Sequence, residues 1–103
     1  MDLTKILRAE RSDAKLTELP DGFYQAAKDE IEQMKGTAEL EAILAYKSTV
    51  QRIASQRLKK VVRAAMSDAF LLVARHDKEH FQPRERAFYE SIIQGAKDAM
   101  EIK

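Results

Sequence analysis

The sequence predicts an all-α protein, with short helices packed on one long central helix. Three observations lead there. Apolar residues recur at helical spacing along most of the 103-residue chain. Nowhere do apolar and polar residues alternate long enough to suggest a strand. And no glycine or proline interrupts the stretch from Thr37 through Gln82, so a helix from Thr37 to about Arg75 would run close to 58 Å. A single domain over residues 1–103 fits this length.

The elements follow in order. Asp2 is placed to cap a first helix ending near Arg11, with Leu3, Ile6 and Leu7 on one face. Ser12 to Lys15 is a polar break, after which Leu16 and Leu19 return the chain to an apolar surface. Pro20 biases Leu19 away from helical angles, and Asp21 is an N-cap for a second helix reaching Lys35. Phe23, Ala27, Ile31 and Met34 line its inner face with Tyr24 beside them, and Gly36 closes it. The long helix then starts from Thr37 as N-cap, with Ser67-Asp68 as its weakest point. His76 to Gln82 forms a polar connection. Pro83 suits the first turn of the last helix, whose apolar face is Phe88, Ile92, Ala96 and Ala99, flanked by Tyr89, Ile93 and Met100, with Phe81 stapled onto it.

On the long helix, Leu40, Ile43, Leu44, Val50, Ala54, Leu58, Val61, Val62, Ala65, Ala69, Leu72 and Val73 share one side. Lys47 and Gln51 interrupt it. Either the helix leaves the core there or it meets another chain. This marks Leu40, Leu44, Lys47, Val50 and Gln51 as a candidate subunit interface, with the Leu58–Val73 half left to the domain's own core. The opposite side gathers Arg52, Lys59, Lys60 and Arg63, a candidate docking or DNA face.

Net charge is only +1, which argues against a general polyanion binder, but the charge is segregated. Glu18 to Glu41 holds seven acids against Lys28 and Lys35, and the next 26 residues hold only bases. Either the two segments complement each other or one faces a partner. No aromatic lies between Tyr46 and Phe70, so base stacking on the basic face is unsupported. Tyr24, Tyr46 and Tyr89 read as amphipathic core or interface residues.

Chemistry has little to build on. The absence of cysteine excludes disulfides and thiolate metal sites and fits an intracellular protein. No apolar run approaches the roughly 20 residues of a membrane span, and no signal peptide opens the chain. There is no glycine-rich phosphate loop and no nucleophile elbow. His76-Asp77-Lys78-Glu79-His80 has the spacing at which two histidines on a helix share zinc with Glu79 as base. Yet Pro83 separates the pair from Glu85 and Glu90, the candidate third ligands, and the surroundings are polar, which favours a solvated connection. No metal, cofactor or catalytic residue is expected.

The string Leu16-Thr17-Glu18-Leu19-Pro20-Asp21-Gly22-Phe23-Tyr24 resembles the leucine, leucine-proline, acidic, phenylalanine-tyrosine signature of archaeal subunits of the GINS complex. A leading helix like Leu3-Thr4-Lys5-Ile6-Leu7-Arg8 precedes it. A basic stretch like Gln56-Arg57-Leu58-Lys59-Lys60-Val61-Val62 follows, then Pro83-Arg84-Glu85-Arg86-Ala87-Phe88-Tyr89-Glu90, similar to the opening of that family's last helix. The resemblance covers nearly all of the chain.

It implies a helical A domain that packs with others into a homo- or hetero-tetramer. The tetramer is non-enzymatic, an accessory of the MCM replicative helicase in DNA replication. It would bridge MCM and a RecJ-like partner, contact primase and polymerase, and sit in the cytoplasm on the chromosome. In the subunit class it resembles, a β-rich B domain follows A, and this sequence ends where B would begin. That implies an A-domain piece or a form without B. The stretch from His76 to Gln82 is also more charged and richer in histidine than the resemblance implies. The alternative reading is a helical DNA-binding or regulatory module using the basic face.

Overall fold

The computed structural model describes residues 2–71 and 80–100. Four α-helices make it up, and no strand occurs among the described residues: α1 is Leu3–Ser12, α2 Phe23–Thr37, α3 Leu40–Leu71 and α4 Pro83–Met100. The three shorter helices all pack on α3. With 32 residues, α3 is about 48 Å long. The described fold is correspondingly extended, 56 × 25 × 20 Å, with a radius of gyration of 16.2 Å where a compact chain of about 100 residues has about 13 Å.

Local signals account for most helix ends. The Asp2 carboxylate accepts from the Lys5 amide at 3.1 Å and caps α1. Pro83 opens α4, and the Phe81 ring meets Tyr89 edge-on at 5.5 Å, the staple expected of it.

Two caps differ from expectation. Asp21 does not cap α2. The Phe23 amide instead bonds the Pro20 carbonyl at 3.1 Å, and Gly22 takes the N-cap position at φ 69°. A left-handed residue there closes a tight turn, which glycine does without a Cβ clash. Thr37 is not an N-cap either. It ends α2 with its hydroxyl on the Gln33 carbonyl at 3.4 Å, Gly36 stays helical, and α3 starts at Leu40. The helix runs through Ser67-Asp68 unbroken, because Asp68 turns inward and accepts from the Tyr89 hydroxyl instead of capping a new start. The expected extension of α3 to Arg75, with Leu72 and Val73, lies outside the described residues.

Two apolar clusters line α3. Leu3, Leu7, Leu19, Phe23, Tyr24 and Ile53 form the first, where α1 and α2 meet the middle of the helix. Val61, Ala64, Ala65 and Tyr89 form the second, under α4. On α3 the stripe Ile53–Arg57–Val61, at intervals of four, joins them. All three residues are fully buried, so an arginine stands in the middle of the core face.

Along α4, Glu85 and Tyr89 are fully buried and Ile92, Ile93 and Ala96 half-buried. This line meets α3 and keeps Ile92 and Ala96 of the expected face with its flanking Tyr89 and Ile93. Phe88 and Ala99 are exposed.

Candidate functional site

Two features of α3 compete as the functional site: the charged cluster on its core face and an apolar stripe on its outer face.

The Arg57 guanidinium is the centre of the first. It grips Glu85 with Nε and Nη2 at 2.7 and 2.8 Å, and its Nη1 reaches the Glu10 carboxylate at 2.7 Å. Its remaining donors meet the backbone carbonyls of Thr17 at 2.8 Å and His80 at 2.7 Å. Glu85 also accepts from the Tyr24 hydroxyl at 2.8 Å and the Gln82 amide at 2.9 Å. Glu10 also accepts from the Thr17 hydroxyl at 2.8 Å and pairs with the Lys60 ammonium. Lys60 in turn donates to the carbonyls of Glu10 at 2.6 Å and Lys15 at 2.8 Å, capping the C-terminus of α1 with a cation.

Two cations balance two anions. Among the described residues no buried side-chain nitrogen or oxygen lacks a partner, as a dry cluster requires. With the five Arg57 N–H groups and both carboxylates bonded within the chain, the cluster clamps α1, α3 and α4 together.

The electrostatics follow the geometry. Burial pushes the Glu10 carboxyl up, but its bonds to Lys60, Thr17 and Arg57 and the Arg57 charge outweigh that and hold it below the usual range. Burial opposes the charge on Arg57, and Glu85 and Glu10 reverse the effect, so its pKa is raised. The tyrosines move the other way from Glu10. Burial and donation to Glu30 push Tyr46 up to about 12, while burial with Glu85 raises Tyr24 and burial with Asp68 raises Tyr89.

A pH dependence follows. A folded pKa below the unfolded value of about 4.3 means that Glu10 contributes stability above that pH, lost as pH falls through the folded pKa. The phenols contribute fully below about pH 10 and lose it as pH rises through their folded values. Urea midpoints measured from pH 2 to 12 should therefore fall on both sides. Glu10→Gln should flatten the acid limb and leave the alkaline one.

The outer stripe is made of Leu40, Leu44, Lys47, Gln51, Leu58, Val62 and Met66. All seven are exposed, Leu40 by 69% and Leu44 by 55%. It lies about 120° around the helix from Ile53–Arg57–Val61. The one-sided apolar face read from the sequence is thus two faces. Of the candidate interface, Leu40, Leu44, Lys47 and Gln51 stand together in solvent, whereas Val50 packs at the edge of the first core. The Leu58–Val73 half is not all core. Val61, Ala64, Ala65 and Ala69 are buried, while Leu58 and Val62 face outward.

The candidate basic face keeps three of its four members. Arg52, Lys59 and Arg63 are exposed with no ion-pair partner among the described residues. Lys60 does not belong there, because Glu10 and two carbonyls draw its ammonium inward. The acids of Glu18–Glu41 make no ion pair with α3 among the described residues. A polar bridge does join them to it, the Tyr46 hydroxyl donating to Glu30 at 2.9 Å.

His76 and Glu79 lie outside the described residues. His80 lends its carbonyl to Arg57, and Glu85, a candidate third ligand, is held in the buried cluster. No group of three potential ligands that could hold a metal occurs among the described residues. Among them, too, no helix is long and apolar enough to cross a membrane.

No protein-family model matches the chain, and neither a curated protein nor a solved structure is detectably similar to it.

Proposed function

We propose that the chain is a non-enzymatic assembly module of the GINS type, a helical subunit that works by burying the Leu40–Gln51 end of the outer stripe of α3 against other helices. Leu40, Leu44, Lys47 and Gln51 are its contact residues. Its partners in this reading are other GINS subunits in a homo- or hetero-tetramer, then the MCM helicase and a RecJ-like protein, on the chromosome. The GINS assignment is carried by the resemblance of the motifs in their order. The assembly role is carried by one observation: α3 exposes large apolar residues at regular helical spacing that its own core does not use. Soluble chains seldom leave such a line uncovered, and a stable interface needs about 1,000 Å² or more.

Light scattering and sedimentation at several salt concentrations test this. The chain should self-associate or join a second GINS subunit, and Leu44→Asp should weaken that association at least tenfold. Its melting temperature should hold, because a surface change costs about 0.5 kcal/mol or less. Lys47→Glu should alter the affinity with no change in fold. A chain that stays monomeric, binds no GINS subunit and ignores both substitutions would sink the assembly reading.

The exposure of Arg52, Lys59 and Arg63 favours one second reading, a DNA-contacting or regulatory module. Salt separates the two: phosphate contacts weaken steeply as salt rises, and an apolar interface does not.

A further inference from the structure

The C-terminal half of α3 and the first turns of α4 frame an open groove of about 820 Å³. Leu58, Val62 and Met66 of α3 and Phe88 of α4 are its floor, each between 36 and 41% exposed. Lys59 and Arg63 form one edge, and no acid among the described residues lines it. Neither base has an ion-pair partner among the described residues. The groove is held from behind. Val61, Ala65 and Tyr89 pack beneath it, and the Arg57–Glu85 pair fixes α4 against α3 at 2.7 Å. Its walls are therefore formed before anything binds.

We propose that this groove docks an acidic amphipathic helix of another protein. Leu58, Val62 and Met66 climb α3 one turn at a time, the spacing that receives the i, i+3/i+4, i+7 ladder of a partner helix. Lys59 and Arg63 are also one turn apart, matched to Asp or Glu at i and i+4 on that helix's flank. The methionine adapts the floor to side chains of different shape.

A nucleic-acid backbone would satisfy the two bases but leave the apolar floor against polar phosphates. A second copy of this chain fits badly. In a two-fold contact the same patch meets itself, which brings Lys59 and Arg63 up to their own equivalents. The chain's own acidic helix, α2, has its apolar face, Phe23 and Ala27, buried in the first core. The inference shares with the assembly reading only the premise that the outer side of α3 binds protein. Gln51 stands at the near end of the groove, but the floor of Leu58, Val62 and Met66 lies beyond Leu40, Leu44 and Lys47, so Leu44→Asp tests the assembly reading and Val62→Asp tests this one.

The test uses the full chain and a fluorescein-labelled 18-residue peptide with leucines at i, i+3/i+4 and i+7 and glutamates on both flanks. Its twin carries lysine for glutamate, and a 20-nucleotide oligothymidylate is the competitor. By anisotropy, the glutamate peptide should bind at least tenfold tighter than the lysine peptide. Lys59→Glu with Arg63→Glu should reverse that order. Val62→Asp should weaken binding tenfold or more, and Leu44→Asp should leave it unchanged. A circular-dichroism melt checks each variant, and Met66→Glu replaces Val62→Asp if the latter unfolds. On a methyl-labelled chain, the Met66 resonance should shift on binding. Equal affinity for both peptides, indifference to the groove substitutions, or displacement of the peptide by the oligonucleotide would each overturn the proposal.

Discussion

Arg57→Ala should be the most damaging single substitution in the chain, lowering the unfolding free energy by about 3–5 kcal/mol. Arg57 is fully buried between two fully buried carboxylates. Its removal leaves Glu10 with Lys60 alone as a cation and Glu85 with none in the cluster, and it strips the Thr17 and His80 carbonyls of their donors. A domain of this size is stable by about 5–15 kcal/mol, and each kilocalorie moves the melting temperature by about 4–8 °C. The variant should therefore melt about 12 °C lower or more by circular dichroism.

Arg57→Lys should rescue little, since an ammonium has three donors where five fork-like N–H groups are used. The cause is checked by a cycle. Arg57→Ala with Glu85→Ala should cost about 1–3 kcal/mol less than the two single changes added, because the second removes the charge that the first had stranded. Strict additivity would show that packing, not charge pairing, sets the cost.

This cluster was the part of the molecule least legible in the sequence. Charge usually stays in solvent, and the sequence pattern puts Arg52, Lys59, Lys60 and Arg63 on the side away from the apolar stripe while giving Arg57 no face. Yet Arg57 lies four residues from Ile53 and four from Val61, inside the core stripe. Glu10 follows Leu3 and Leu7 on the buried face of α1, and Glu85 precedes Tyr89 on that of α4. Three charges, each in register with an apolar face, were the available signal. Their pairing was out of reach, because the partners stand 47 and 28 positions from Arg57.

What was legible is local. The Asp2 cap, the inner face of α2 and the proline start of α4 rest on neighbours a turn or less away. The Leu40–Gln51 end of the outer stripe is legible through Lys47 and Gln51, whose polarity marks a side that the core does not take. The Leu58–Met66 end is not, because the apolar arc is wide enough there for Leu58 and Val62 to read as core. Only the positions of α1, α2 and α4 decide which part of that arc is covered.

Phe23→Ala should cost about 3–5 kcal/mol, and how the loss spreads tests the cluster's role. Phe23 is fully buried among Leu3, Leu7, Leu19 and Ile53 and stacks edge-on against Tyr24 at 5.3 Å. Truncation opens a cavity where α1, α2 and α3 meet, and nothing in the second core touches it. Tyr24, however, donates to Glu85 on α4, and Arg57 joins Glu85 to Glu10 on α1. If these bonds make the two cores one cooperative unit, amide exchange in Phe23→Ala should quicken equally in α1, α2 and α4, and the urea transition should stay single. In Arg57→Ala the bridge from Glu10 to Glu85 is cut while the Tyr24–Glu85 bond stays, and α1 should then exchange faster than α2 and the α3–α4 pair. Fast exchange confined to α1 and α2 in Phe23→Ala, with Arg57 intact, would mean that the buried charges hold their neighbours without tying the halves together.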